Sequence, residues 1–128
     1  MPLVRIDVPA ATSAGDRRAA ADVVHDALVA TFNVPLADRF QLIAEHQEGE
    51  LICTPEYLGV PHSAQVVFVQ ITCTEGRPVA TKKALYERIA TELPKRSSFA
   101  ADDVIINLVE TRKENWSFGR GLAPYADA

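Results

Sequence analysis

The sequence predicts an α+β domain: duplicated β-α-β units forming a four-stranded mixed sheet with two helices on one face. Three observations carry that prediction. A strand pattern, a helix pattern and a second strand pattern follow one another twice, and units of these lengths join parallel strands. The copies match: Leu3-Val4-Arg5-Ile6 corresponds to Phe68-Val69-Gln70-Ile71, and Asp38-Arg39-Phe40 to Asp102-Asp103-Val104, at a nearly constant separation. Two copies mean a duplication rather than a solenoid. The length of 128 residues suits one domain, spanning residues 1–128, around one core.

The first strand is Leu3 to Val8, where Val4, Ile6 and Val8 alternate with Arg5 and Asp7 at period two and Leu3 makes it partly apolar on both faces. Pro9 to Gly15 reads as a loop in which Thr12, Ser13 or Asp16 can cap a helix. Asp16 to Phe32 is helical: Val23, Val24, Ala27, Leu28 and Thr31 form one stripe, and Arg17, Arg18, Asp22 and Asp26 the other side. His25 falls with the polar side and is expected in solvent. Asn33-Val34-Pro35 stops the helix, and Phe40 to His46 is the second strand.

Gln47 to Gln65 is too long for a structureless loop in a compact domain. Short strands or turns are expected at Leu51-Ile52-Cys53 and Tyr57-Leu58-Gly59-Val60, with His62 exposed. Val66 to Cys73 is β-branched and nearly all apolar, which suits a central strand. Thr74 to Pro78 is a turn into a helix over about Ala80 to Leu93, with Leu85, Ile89 and Leu93 on one face and Pro94 ending it. Val104 to Glu110 is the fourth strand. Val4, Val67 and Val69 are expected on the sheet face opposite the helices. That face is too apolar to stay wet, so oligomerisation is its natural cover.

Hydrophobic residues make up 48% and charged residues 23%, a globular composition. A formal net charge of −4 argues against nucleic acid as a partner, because phosphate binding needs a basic face. No run approaches the ~20 apolar residues of a membrane span and no signal-peptide pattern opens the chain. The expected location is therefore cytoplasmic, with no membrane partner. Cys53 and Cys73 form neither a CxxC pair nor a metal spacing with the three histidines, so no metal site is expected. Cys73 reads as a small core residue, and a disulfide is not expected in a reducing compartment.

The chemistry of the chain starts at Pro2. Initiator methionine is normally removed before a small residue, which would leave Pro2 with a free secondary amine. An ordinary α-amino group titrates at about 7.7–8.0, and burial lowers that value by disfavouring the charged form. A neutral, rigidly held amine is a competent general base. Taken alone, Pro2 is also simply a good first residue for a strand. Asp38 alone reads as a turn residue. Arg77 is a cation at the start of a helix, where anions are favoured. The tail, Trp116-Ser117-Phe118-Gly119-Arg120-Gly121, reads as an arm packed on the core or on a neighbour, or as an apolar wall with a charge beside a pocket.

Taken together, these residues resemble the tautomerase superfamily, and within it the branch containing malonate semialdehyde decarboxylase. The resemblance rests on Pro2 at a strand start, two β-α-β units, Asp38-Arg39-Phe40-Gln41 followed by Glu45-His46, Arg77 before the second helix, and Glu114-Asn115-Trp116-Ser117-Phe118-Gly119-Arg120-Gly121. It covers essentially the whole chain. It implies a homotrimer that acts on a small carboxylate-bearing substrate without a cofactor. It also implies that Pro2 is the catalytic acid/base, that Asp38 orients or assists it, that Arg77 holds the substrate carboxylate, and that Trp116 and Phe118 form an apolar wall. Arg120 reaches either the substrate or a neighbouring subunit.

One position departs from the decarboxylase pattern. Where that branch has Arg-Pro-Arg, this chain has Glu75-Gly76-Arg77. One arginine fork is lost and a negative charge is added, both of which oppose carboxylate binding. The departure favours keto–enol tautomerisation of a small 2-oxo or enol acid over decarboxylation. The sequence leaves open decarboxylation, in which a cationic Pro2 polarises a carbonyl, and a non-catalytic trimeric binding protein of the same fold.

Overall fold

The computed structural model describes residues 1–127. In chain order its elements are β1 (Leu3–Pro9), α1 (Ala14–Phe32), β2 (Phe40–His46), β3 (Glu56–Tyr57), β4 (Val60–Pro61), β5 (Val67–Thr74), α2 (Val79–Arg96) and β6 (Val104–Thr111). A four-stranded sheet has the order β2-β1-β5-β6. β1 pairs parallel with β2, β5 pairs parallel with β6, and the two units meet antiparallel through β1 and β5. Both β-α-β units thus form as the duplicated pattern predicts. No helix of the described residues is long and apolar enough to cross a membrane.

Local chemistry explains the boundaries. Ser13 caps α1: its backbone is extended and its hydroxyl accepts from the Asp16 amide at 3.1 Å. At the other end Asn33 takes the left-handed conformation, φ 56°, and its N–H returns to the Leu28 carbonyl. α2 continues past Pro94 to Arg96, so proline does not end it as expected. Pro94 lies in the last turn, where a missing N–H forfeits only one bond before the helix stops. There Ser97 donates its hydroxyl to the Leu93 carbonyl at 2.7 Å.

The core lies between the sheet and the helices. It contains Val4, Ile6, Val8, Val67, Val69, Ile71, Val24, Leu28, Leu85, Ile89 and Leu93, all essentially without solvent exposure. This corrects the predicted facing of Val4, Val67 and Val69, which point toward the helices. Register groups them, Val4↔Ile71 and Ile6↔Val69, and this row packs in one core with Val24, Leu28, Leu85, Ile89 and Leu93 of the helices, because it is the row free of charged residues. The face without helices carries Leu3, Arg5, Asp7, Leu42, Phe68, Gln70, Ile105 and Val109. Leu42 is 51% exposed and Val109 39%. Asp7 on this face accepts from Arg5 at 3.3 Å and lies 2.7 Å from His46 Nε2. Truncating Leu85, which has no exposure, to Ala is expected to cost about 2–5 kcal/mol through lost transfer energy and a cavity; the urea midpoint would report it.

His25 is buried at 2% exposure, against the expectation of a solvated residue. The connection after α1 folds back over it, and its Nε2 lies 2.8 Å from the Leu36 carbonyl. Helical periodicity places a residue on a face but does not show what a later loop lays over that face. The Gln47–Gln65 region contains one small hairpin of β3 and β4, turned by Leu58 (φ 50°) and Gly59 (φ 85°). His62 is half-buried rather than exposed, with Nδ1 2.9 Å from the Thr54 carbonyl and 3.5 Å from Cys53 Sγ.

Candidate active site

The chain's amino terminus, the C-terminal ends of β5 and β6, the start of β2 and the turn into α2 meet at one end of the sheet. The register brings this about. Because Leu3 pairs with Thr72 and Phe40, the chain start stands beside the last residues of β5 and the first of β2. Pro2 is buried. Met1 precedes it, and the Met1 ammonium is 3.0 Å from Asp38 Oδ2. The other oxygen of that carboxylate, Oδ1, is buried and makes no hydrogen bond. Asp38 therefore faces the amino terminus with acceptor capacity to spare.

Arg39 anchors the segment that carries Asp38. Its guanidinium donates to Asp22 Oδ1 at 2.7 Å and to Gln41 Oε1 at 2.8 Å, while Gln41 donates to the Ala21 carbonyl at 2.8 Å. The Arg39 hydrogen bond, ahead of the charge of Arg18, holds the Asp22 carboxyl below its ordinary value against the opposing effect of burial. A depressed carboxylate contributes stability that is present at neutral pH and is lost as pH falls through the folded value. Asp22→Asn is accordingly expected to flatten the acid limb of the stability–pH curve, modestly because Asp22 is partly exposed; thermal melts between pH 7 and pH 3 would measure it.

Arg77 leaves the turn after β5 and is half-buried. Its Nη1 donates to the Thr74 carbonyl at 3.1 Å, and its guanidinium carbon lies 4.4 Å from the centroid of the Phe32 ring at the end of α1. A carbonyl and a ring meet its charge, and among the described residues it forms no ion pair. In the same turn Gly76 has φ 119°. Proline, locked near −65°, cannot adopt that angle, so the departure from Arg-Pro-Arg changes the path of the turn as well as its charge. Between the strands Cys73 is buried, and desolvation raises its thiol pKa against the lowering effect of Arg77. It stays a neutral core residue, as its sequence position suggests.

The tail folds over this end. Trp116 stacks on Phe118 with centroids 5.6 Å apart, and Phe118 lies 5.5 Å from Phe40 and 5.8 Å, edge-on, from Tyr125. Trp116 is half-buried, while Phe118 stays 38% exposed. The wall is thus wider than the two expected residues. Phe40 belongs to the Asp38-Arg39-Phe40-Gln41 motif but nothing in the sequence marks it as wall, and a tail tyrosine such as Tyr125 carries no distinguishing spacing. Arg120 has φ 59° between Gly119 (φ 135°) and Gly121 (φ 68°), and its exposed side chain pairs with none of these groups among the described residues. A shallow cleft of about 430 Å³ adjoins the site, lined by Glu75, Gly76, Thr111, Arg112 and Glu114 among others.

A buried proline, a carboxylate beside the chain terminus, a cation without a carboxylate partner and an aromatic wall suit proton transfer on a small organic acid. Comparison with known proteins agrees. Family profiles described as "Tautomerase enzyme" match residues 38–119 and residues 2–67. The chain is 32% identical over 125 residues to the probable tautomerase YrdN of Bacillus subtilis (strain 168), covering 98% of this chain and 96% of that protein. It superimposes on an FG41 malonate semialdehyde decarboxylase inhibited by 3-bromopropiolate with a TM-score of 0.90 at 37% identity, covering 96% of this chain and 93% of that one. At the level of fold alone it matches a fused 4-OT, described as a wild-type symmetric trimer, with a TM-score of 0.78 at 21% identity, covering 98% and 99%. With both profiles, a full-length relative and the decarboxylase fold in agreement, the chain belongs to the tautomerase family.

Proposed function

We propose that this protein catalyses keto–enol tautomerisation of a small 2-oxo or enol carboxylic acid, using Pro2 as the acid/base once Met1 has been removed. The observation that carries the proposal is the Asp38 carboxylate. One oxygen holds the chain's ammonium at 3.0 Å, and the other is buried and unpartnered. In the processed chain that carboxylate orients the proline amine. Neutral Pro2 takes a proton from the carbon next to the carbonyl and returns it elsewhere, while Arg77 binds the carboxylate and draws on the developing enolate charge. Trp116 and Phe118 form the apolar wall of the site. Arg120, held by two glycines in a left-handed conformation, extends the cationic side of the site; such strain is kept where surrounding structure or function requires it.

The same proposal includes a homotrimer, with the helix-free sheet face covered by neighbouring subunits. Leu42, Phe68, Ile105 and Val109 supply apolar area there that a lone subunit leaves partly wet. A second reading, decarboxylation of malonate semialdehyde, is favoured by the likeness at 37% identity and opposed by Glu75 where that branch has an arginine.

The deciding experiment uses protein whose amino terminus is confirmed as Pro2 by mass spectrometry. Ketonisation of phenylenolpyruvate and carbon dioxide release from malonate semialdehyde are measured side by side. Ketonisation without decarboxylation supports the neutral-base reading. Efficient decarboxylation replaces it with the second, because the two mechanisms need opposite protonation states of Pro2. Absence of both, with Pro2 free, rejects these substrates and favours another substrate or a binding role.

A further inference from the structure

We propose that Thr111 is a positioning residue that couples the aromatic wall to the turn carrying Arg77. Thr111 is the last residue of β6, paired with Thr74 at the end of β5. Three hydrogen bonds converge on it. Its hydroxyl accepts from the Trp116 indole N–H at 2.8 Å and donates to the Cys73 carbonyl at 3.3 Å. Its backbone carbonyl accepts from the Glu75 amide at 2.8 Å.

Each partner belongs to a different part of the site. Trp116 carries the wall, stacked on Phe118. Glu75 opens the turn that ends in Arg77, whose guanidinium returns to the Thr74 carbonyl at 3.1 Å. Cys73 is the buried residue of β5 that follows Thr72, the partner of Leu3, so it lies beside the start of β1. Thr111 is half-buried, and its hydroxyl donates once and accepts once. A β-branched residue suits a strand end, but only a hydroxyl makes both bonds. The side chain therefore sets the depth of the indole relative to the strand beside Pro2, and the backbone sets the turn. The consequence for substrate rests on the tautomerase reading above; the placement of the indole does not.

The test uses the full chain and the pair Thr111→Val and Thr111→Ser. Valine keeps the shape and removes both bonds, whereas serine keeps the hydroxyl. Trp116 is the only tryptophan in the sequence, so indole emission reports this one contact. Thr111→Val is expected to red-shift the emission and make it more open to acrylamide quenching. It is also expected to raise KM for phenylenolpyruvate about fivefold, the size of one modest hydrogen bond, with kcat within about twofold. Thr111→Ser should restore both readouts. Trp116→Phe, which removes the donor from the other side, should raise KM as Thr111→Val does; this arm stands if the valine variant fails to fold. Unchanged emission and quenching in Thr111→Val would overturn the proposal, as would an unchanged KM in Trp116→Phe. If the wild type lacks activity on phenylenolpyruvate, that substrate is rejected while the fluorescence pair still decides the role of Thr111.

Discussion

Replacing Pro2 with Ala is expected to lower the rate of phenylenolpyruvate ketonisation about 100-fold, at the lower end of what a positioned general base supplies. Alanine is as small as the residues that permit removal of Met1, so the variant still ends in a free amine. The comparison is therefore between two amines at one place, one secondary and locked in a ring, the other primary and free to rotate. Pro2 is buried and opens the row that continues into Val4 and Ile6 of the core, yet it supplies little of that core. Thermal stability and sedimentation should stay close to wild type. A variant with full activity would remove Pro2 from the mechanism. A variant that loses activity and assembly together would make Pro2 a structural residue.

Replacing Arg77 with Ala is expected to raise KM for carboxylate substrates about 10- to 100-fold, the range of a charge-assisted hydrogen bond to an anion. The contacts of the guanidinium make the size of this effect informative. The Thr74 carbonyl and the Phe32 ring hold Arg77 in place without neutralising it. Its charge stays available to a ligand, and losing the contact over Phe32 costs only about 0.5–1 kcal/mol of stability. Arg77→Lys should fall between, because an ammonium keeps the charge and loses the planar fork. Steady-state kinetics of the three proteins on one substrate decide the matter. An unchanged KM in the alanine variant would move the anchor elsewhere, with Arg120 next to be tested.

These two predictions concern residues that the sequence makes legible. Pro2, Asp38, Arg77, Trp116 and Phe118 stand out as a set through the family resemblance that their motifs carry, since each taken alone has an ordinary structural reading. Tyr125 and Thr111 do not, and Phe40 is visible there only within its motif, not as part of the wall. Each acquires its meaning from a partner elsewhere in the chain: Phe40 and Tyr125 from Phe118, Thr111 from Cys73 and Trp116. His25 shows the same limit in the core, since helical periodicity puts it in solvent and a loop then covers it.

Two β-α-β units, their order and most of their boundaries can be read from the amino acids alone. Period-two and period-3.6 patterning are local consequences of backbone geometry, and a duplicated pattern is visible without knowing any contact. Glu75 and Gly76 are visible as a departure only against the arginine-rich turn of the branch that the sequence resembles. The facing of the sheet is different in kind: Val4, Ile6 and Val8 share one row of β1 and Val67, Val69 and Ile71 one row of β5, but which side the helices cover is decided only when they pack. So is the meeting of the amino terminus with Asp38, which leaves one carboxylate oxygen buried and unpaired. Those facts depend on the pairing of β1 with β2 and β5, strands that lie far apart in the chain. Such long-range pairing is settled when the core closes, and no local pattern records it.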